Sequence, residues 1–251
     1  DEASLQLLLA VVDLSTTHPI MFVCLLRPDQ AASGWSSIQA IGEKLREDFQ
    51  SITLAPLHMD QTRTLLNNLL GTEGVPDSVR DRIIDKAEGN PFFVEEIIRS
   101  LIETGQIVRE NSHWRAVHDS ASIMLPNTLR GVLSARIDRL PEISKHVLQN
   151  AAVVGRSFDL QVLKQLTSLS GELDLQIQYL MDVSLIESWP NEYAFRQALI
   201  QEAAYESILL KTRAILHRQI GEIIEELHAD RIEELAPLLA HHFYAAQDAR
   251  S

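Results

Sequence analysis

The chain has 251 residues, of which 45% are hydrophobic and 23% are charged, and its formal net charge is −13. This composition is typical of a globular protein, and the length suits one large domain or two to three small ones. No apolar run approaches the roughly 20 residues of a membrane-spanning helix. No segment is basic, so neither a membrane nor a nucleic acid is an expected partner. The single cysteine, Cys24, rules out an internal disulfide and fits a reducing, cytoplasmic location.

The first part of the chain predicts a helix followed by short buried strands. Residues 1–14 carry leucines on one helical face, and 20–26 form a continuous apolar run of strand length. Such a run favours a strand buried on both faces of a parallel sheet, with Cys24 as a buried thiol. Arg27 follows directly, at the end of the strand where α/β proteins bind ligands. Residues 51–54 predict a second strand.

Residues 60–105 predict helices that meet at a sharp corner. Asp60 and the Asp77-Ser78 pair are candidate helix caps. Gly89 can close one helix because it adopts positive φ at little cost. Asn90 is a good N-cap for the next helix, and Pro91 suits its first position. The new helix carries an apolar stripe and has Glu95 and Glu96 near its positive end, and the stripe consists of Phe93, Val94, Ile97, Ile98, Leu101 and Ile102.

The remaining residues predict a hairpin, a second small domain and further helices. The alternation over 106–116 suits a β-hairpin. Residues 126–207 predict helices followed by a strand–turn–strand, which is the pattern of a winged helix. Its would-be recognition helix, 172–183, carries acidic side chains and no Lys or Arg, which disfavours DNA binding. Residues 208–251 are helical, and the adjacent His241 and His242 point about 100° apart, so no metal site is expected there.

Residues 89–96, Gly-Asn-Pro-Phe-Phe-Val-Glu-Glu, resemble the GNP-[LF]-[FY]-[VL]-EE stretch of STAND-type signalling ATPases. These AAA+-related modules are linked to nucleotide cyclases such as adenylate cyclase, to LuxR-type regulators and to protein kinases. The resemblance implies that Gly89, Asn90 and Pro91 lie against the base of a bound nucleotide. It also matches Arg27 to the sensor-1 arginine, which senses the terminal phosphate. The alternatives are a plain corner between helices and a solvent-facing arginine.

The resemblance implies a mainly α fold with some β and a five-part organisation. Its parts are the C-terminal portion of a nucleotide-binding α/β core (1–59), a helical lid (60–105), a β-hairpin connector (106–125), a winged-helix domain (126–207) and helices leading into tetratricopeptide-like repeats (208–251).

A glycine-rich phosphate loop, Gly-x-x-x-x-Gly-Lys-Ser/Thr, does not occur in these 251 residues, and an acidic Walker B strand is not recognisable either. The chain is therefore expected to be the later part of an ATPase module whose phosphate-loop half lies upstream. ATP or ADP with Mg²⁺ is the expected cofactor of the intact parent protein. This chain by itself is expected not to hydrolyse ATP, because the phosphate cradle and the acid that activates water lie elsewhere.

Three functions follow. The first is the regulatory part of an ATP-dependent switch that couples nucleotide state to an effector domain outside this chain. The second is a protein–protein interaction scaffold that does not bind nucleotide and recruits partners through the C-terminal helices. The third is a winged-helix DNA-binding module, which the acidic charge disfavours.

Overall fold

The computed structural model of the protein describes residues 2–27, 33–111, 113–118, 122–167, 171–190 and 192–247. The chain is mainly α with some β, as predicted. Its contacts divide it into two compact units, unit 1 (residues 1–55) and unit 2 (residues 56–251).

Unit 1 is built from short helices. They are α1 (Glu2–Val11), α2 (Leu14–Thr17), α3 (Ser33–Leu45) and a single 3₁₀ turn (Arg46–Asp48). Helix α1 packs against α3, and Val12 and Ile41 are the buried apolar residues of this small core. The Nζ of Lys44 lies 2.7 Å from Oδ2 of Asp13, which joins α3 to the end of α1.

The prediction of strands at 20–26 and 51–54 was wrong. Both segments are unassigned backbone in the structure, and Leu25 and Leu54 are 95% and 91% exposed. Cys24, predicted to be buried, is exposed as well. A parallel strand forms only when neighbouring strands pair with its backbone, and the described part of unit 1 contains no strand that could do so. Apolar sequence alone therefore does not bury these segments.

Unit 2 begins with three helices and a hairpin. They are α4 (Met59–Leu70), α5 (Asp77–Ala87), α6 (Pro91–Glu103), β1 (Ile107–Glu110) and β2 (His113–Ala116). The two strands pair antiparallel, so the hairpin predicted at 106–116 is present. Apolar residues from all three helices and from β1 form one core, the lid core, which includes Leu66, Val79, Ile83, Val94, Ile97, Leu101 and Ile107.

The predicted caps of the first two helices were wrong by one or two residues. His58 rather than Asp60 occupies the N-cap of α4, and its backbone N–H donates to Oε1 of Gln61 at 2.9 Å. Pro76 precedes α5, so Asp77 is the first helical residue rather than the cap. Asp60 and Asp77 still lie in the first turns of these helices, where a negative charge interacts favourably with the positive end of the helix. This explains why both positions resembled caps.

A second bundle follows the hairpin. Its elements are α7 (Leu129–Asp138), α8 (Glu142–Val154), β3 (Ser157–Phe158), α9 (Leu160–Leu166), α10 (Leu173–Asp182), β4 (Ile186–Ser188), β5 (Tyr193–Phe195) and α11 (Ala198–Glu206). The strands form an antiparallel sheet in the order β3-β5-β4. Its core, the bundle core, combines buried apolar residues of the helices with those of the sheet and includes Leu133, Ile137, Leu148, Phe158, Ile177, Leu180 and Phe195.

The described chain ends with a helical pair, α12 (Leu210–Leu227) and α13 (Ile232–Ala245). The two helices approach closely at Gly221, where an added Cβ would lie 2.7 Å from the ring of Phe243. Ile220, Ile224 and Leu239 bury their side chains in one core together with Val153 of α8 and Val162 of α9. Among the described residues, no helix combines the length and apolar character needed to cross a membrane.

Candidate functional site

The corner predicted at Gly89-Asn90-Pro91, called the elbow here, lies between α5 and α6. Glu88 and Gly89 both adopt positive φ, at 49° and 76°, and this reverses the chain direction. A Cβ on Gly89 would lie only 2.4 Å from the carbonyl oxygen of Leu57. The backbone N–H of Leu57 also donates to the carbonyl of Gly89 at 2.8 Å. Only glycine meets both the dihedral requirement and the close backbone approach.

Asn90 caps α6 as predicted. Its Oδ1 accepts hydrogen bonds from the backbone N–H groups of Phe92 and Phe93 at 3.1 and 3.3 Å. These bonds satisfy two of the N–H groups that lack an acceptor within the helix at the start of α6, where Pro91 itself has no N–H to satisfy. Pro91 occupies the first helical position and is exposed, while Gly89 beneath it is buried. The elbow therefore holds Pro91 in a fixed, accessible position at the end of a capped helix.

The two phenylalanines after the elbow face different cores. Phe93 is 8% exposed and belongs to the lid core. Phe92, one residue earlier, packs against the bundle core. Neighbouring helical residues point about 100° apart, so one turn of α6 contacts both. The first turn of α6 thus packs on α4 and α5 on one side and on the following bundle on the other.

A buried ion pair joins α6 to α7. Nη1 of Arg136 lies 3.1 and 3.0 Å from the two carboxylate oxygens of Glu96. Only 3% of the Arg136 side chain and 4% of the Glu96 side chain are exposed. Nη2 of Arg136 also donates to the carbonyl of Val183, directly after α10. One guanidinium therefore ties together three helices, and its charge is matched where water is excluded.

Two further charges complete this network. Arg99 approaches Glu96 at 3.6 Å, and its Nη1 lies 3.5 Å from the Val183 carbonyl. Glu103 lies 3.3 Å from Nε of Arg136. Burial, followed by the neighbouring Arg136 charge, lowers the pKa of Arg99. Two arginines therefore lie next to Glu96, and its carboxylate offsets the repulsion between their positive charges.

The predicted site residues are not all in one unit. Gly89, Asn90 and Pro91 form the elbow in unit 2, whereas Arg27 belongs to unit 1. Arg27 is exposed, and the described part of the chain provides it with no hydrogen bond or ion pair. Glu95, predicted with Glu96 to face the helix N-terminus, is exposed, while Glu96 turns into the interior.

The Glu96–Arg136 pair was missed by the sequence analysis, although a signal for it exists. Arg136 lies three residues after Leu133 and four before Leu140, in the middle of an apolar helical face. Glu96 similarly follows Phe93 by three residues on the apolar stripe of its own helix. A single charge within each of two apolar faces, of opposite sign, predicts that the faces meet and the charges pair.

Comparison with known proteins adds a family model and one relative. The model of a domain of unknown function (DUF8739) matches residues 58–115, which contain α4, α5, the elbow, α6 and most of the hairpin. An "Uncharacterized protein R02095" of Rhizobium meliloti (strain 1021) is 24% identical over 236 residues, covering 90% of this chain. The chain spans about a fifth of that relative's length, since the match covers 21% of it. No solved structure matches this chain.

Proposed function

We propose that this chain is the regulatory part of an ATP-dependent signalling switch of the STAND type. In this proposal the elbow lies against the base of ATP or ADP, with Pro91 packed on the adenine, and Arg27 senses the terminal phosphate. Mg²⁺ and the phosphate loop belong to the part of the parent protein that precedes this chain. An effector domain outside the chain would report the nucleotide state, and the switch would act in the cytoplasm.

The observation that carries the proposal is the construction of the elbow. Gly89 is fixed by its contact with Leu57, Asn90 caps α6, and Pro91 is left exposed at the first helical position. An ordinary corner between helices needs neither a glycine packed so closely on backbone that an added Cβ would lie 2.4 Å from a carbonyl oxygen, nor a rigid apolar ring at an exposed position. These features suit a surface that a flat base packs against.

The exposed segments 20–26 and 51–54 also support the proposal. They carry apolar side chains, such as Leu25 and Leu54, whose exposure a folded protein rarely tolerates over consecutive residues. Strands of a parallel sheet have this composition when the neighbouring strands that cover them come from elsewhere in the protein. The phosphate-loop half of an ATPase core would supply such strands.

The order of elements in the second bundle supports the remaining part of the proposal. Helix α8, β3, α9, α10, β4 and β5 follow one another, and the sheet order is β3-β5-β4. A winged helix has this order of helices and strands, and the proposal assigns it to 126–207. The buried Glu96–Arg136 pair would then connect the nucleotide-facing helix to the regulatory domain.

Calorimetric titration of the parent protein, including its phosphate-loop half, with ATP and Mg²⁺ tests the proposal. Pro91→Ala and Arg27→Ala are expected to weaken binding by about tenfold each, equivalent to about 1.4 kcal/mol. Pro76→Ala, at another exposed helix start, and Arg218→Ala, on the exposed side of α12, are matched controls and should bind like the unmodified protein. No binding by the parent protein would refute the switch.

A scaffold that recruits proteins without nucleotide is the second candidate, and the exposed apolar segments of unit 1 favour it independently. It predicts that the parent protein binds no ATP while Leu25→Ser weakens its association with a partner. DNA binding finds less support, because α10 and the β4–β5 hairpin carry no Lys or Arg. A salt-dependent affinity of the chain for duplex DNA would support the DNA-binding function.

A further inference from the structure

A groove runs between the start of α8 and the exposed side of α10. Its volume is about 480 Å³, and it is lined by Pro141, Glu142, Ile143, Ser144, Gln176 and Tyr179. The buried hydroxyl of Ser144 donates to Oε1 of Gln176 at 2.7 Å. This bond links the two helices at the bottom of the groove and leaves apolar side chains along its edges.

Three large apolar residues are exposed around the groove. Ile143 on α8 is 44% exposed, and Leu175 and Tyr179 on α10 are 69% and 37% exposed. Leu175 and Tyr179 are four residues apart, so they lie on the same side of α10. A helix face that stays in water normally carries polar side chains at such positions. A cluster of apolar groups beside a groove therefore indicates a surface that binds a partner.

Negative charge predominates on α10 and on the hairpin that follows it. From residue 171 to residue 195, the chain carries five acidic side chains and no Lys or Arg, and the five are Glu172, Asp174, Asp182, Glu187 and Glu192. On the α8 side, the Glu142 side chain is 85% exposed. Within 4 Å of these carboxylates lie the ring of His146, 3.7 Å from Glu142, and the ammonium of Lys164, 3.9 Å from Asp174. The surplus of negative charge favours a basic partner and repels nucleic acid.

We propose that this groove binds a protein segment that forms an amphipathic helix with large apolar side chains on one face and Lys or Arg beside them. The apolar face would fill the groove between Ile143 and Tyr179, and the cations would pair with Glu142 and Asp174. If 126–207 is a winged helix, α10 is its recognition helix. On that assignment the recognition helix binds a protein segment rather than DNA.

Fluorescence anisotropy with a labelled helical peptide made of leucine and lysine, with leucine confined to one face, tests this directly. A peptide of the same composition in scrambled order, and one with glutamate in place of lysine, are the ligand controls. The chain is expected to bind the amphipathic basic peptide about tenfold more tightly than either control peptide. Nucleotide is absent from this experiment, so its result does not depend on the proposed switch.

Matched variants locate the binding surface. The double variant Ile143→Ser with Leu175→Ser, and the charge reversal Glu142→Lys, are each expected to weaken binding of the basic peptide about tenfold. Leu210→Ser removes an equally exposed leucine from α12, and Glu225→Lys makes the same change in net charge on that helix. Both controls should bind like the unmodified chain.

Two results would overturn the proposal. Equal losses in the groove variants and in the α12 controls would mean that the peptide binds through the general negative charge of the chain. Equal affinity for the scrambled peptide would mean that no apolar groove is used. Circular dichroism of each variant establishes that these exposed substitutions leave the helices intact.

Discussion

Nη1 of Arg136 contacts both carboxylate oxygens of Glu96, a residue forty positions earlier, and the ion pair lies in the interior between α6 and α7. Since both side chains are almost fully excluded from water, each charge relies on the other for its stabilisation. The pair fixes the position of the elbow helix against the second bundle. The free energy that the pair contributes therefore stabilises the packing of α6 against the second bundle.

Removing one partner of this pair is expected to destabilise unit 2 strongly. Glu96→Gln leaves Arg136 and Arg99 facing each other with no carboxylate between them, and about 3 to 5 kcal/mol of unfolding free energy should be lost. Urea unfolding followed by circular dichroism measures it. The control is Glu110→Gln in the exposed pair with Arg115, where the loss should stay below about 1 kcal/mol. Similar losses in the two variants would contradict the buried network.

Replacing both partners is expected to be milder than the single changes suggest. In Glu96→Met with Arg136→Met, the two most buried charges of the network are removed together and apolar side chains of similar volume fill the space, while the half-buried Arg99 keeps the Val183 carbonyl as its acceptor. The double variant should be less destabilised than the sum of the single variants by about 2 kcal/mol or more. Additive losses would mean that the two residues act independently.

Gly89→Ala is expected to distort the elbow. The new Cβ would meet the Leu57 carbonyl at 2.4 Å while φ stays at 76°, so dihedral strain and steric overlap add. We expect a loss of about 3 kcal/mol in urea unfolding. Gly105→Ala is the control, because Gly105 also has positive φ but has open space around it. Its loss should be about 1 kcal/mol, which isolates the dihedral contribution.

The buried histidines of the last two helices are expected to make stability depend on pH. Nδ1 of His217 lies 2.9 Å from Nδ1 of His242, and Tyr205 lies 3.0 Å from the other nitrogen of His217. Burial lowers the pKa of both from 6.5 to about 4, with smaller contributions from His241 and Arg213 for His217, and from His217 and His241 for His242. The unfolded chain therefore binds more protons than the folded chain between pH 6.5 and pH 4.

The free energy of unfolding should accordingly fall as pH is lowered from 6.5 to 4, by about 2 to 4 kcal/mol for the two histidines together. Below pH 4 these histidines should cause no further change. Urea unfolding at several pH values measures the slope. The double variant His217→Leu with His242→Leu should have a shallower slope than the unmodified chain. His113→Gln, at an exposed histidine, should keep the original slope. If the double variant kept the pH dependence of the unmodified chain, His217 and His242 would not be the groups that cause it.

Arg80 is expected to be a structural residue whose loss loosens the lid core. It is 2% exposed and donates to the carbonyls of Val75 and Gly71 and to Oδ1 of Asn67, at 3.1, 2.7 and 2.8 Å. Arg80→Met leaves these three acceptors without their charged donor and should cost about 2 to 4 kcal/mol. Arg218→Met, on an exposed helix face, is the control and should have no measurable effect in the same urea titration.

Local rules predicted the elbow well because its interactions lie within a few residues of one another. The preference of Asn90 for the N-cap, and of Pro91 for the first helical position, needs no knowledge of distant residues. The crowding of Gly89 by Leu57 was not predictable in this way. Leu57 is separated from it by two helices, and only the fold brings their backbones together.

Long-range features were predicted less well, for the same reason. The run at 20–26 has the composition of a buried strand, but burial depends on neighbouring strands that the described residues of unit 1 do not provide. His242 was likewise treated, with His241, as a position on a helix face, and His217 was not singled out. The pairing of His217 with His242 depends on how α12 packs against α13, which the spacing within either helix does not specify.

The carbonyl of Val183 accepts hydrogen bonds from both Arg136 and Arg99, so the C-terminal end of α10 and the elbow helix share one set of charges. A ligand that shifts Val183 by binding along α10 would change the free energy of any ligand bound at the elbow. Thermodynamic linkage makes this effect reciprocal, with the same factor in both directions. If nucleotide binds at the elbow and a protein segment binds along α10, as proposed above, the segment should change the nucleotide affinity by the same factor by which nucleotide changes the affinity for the segment.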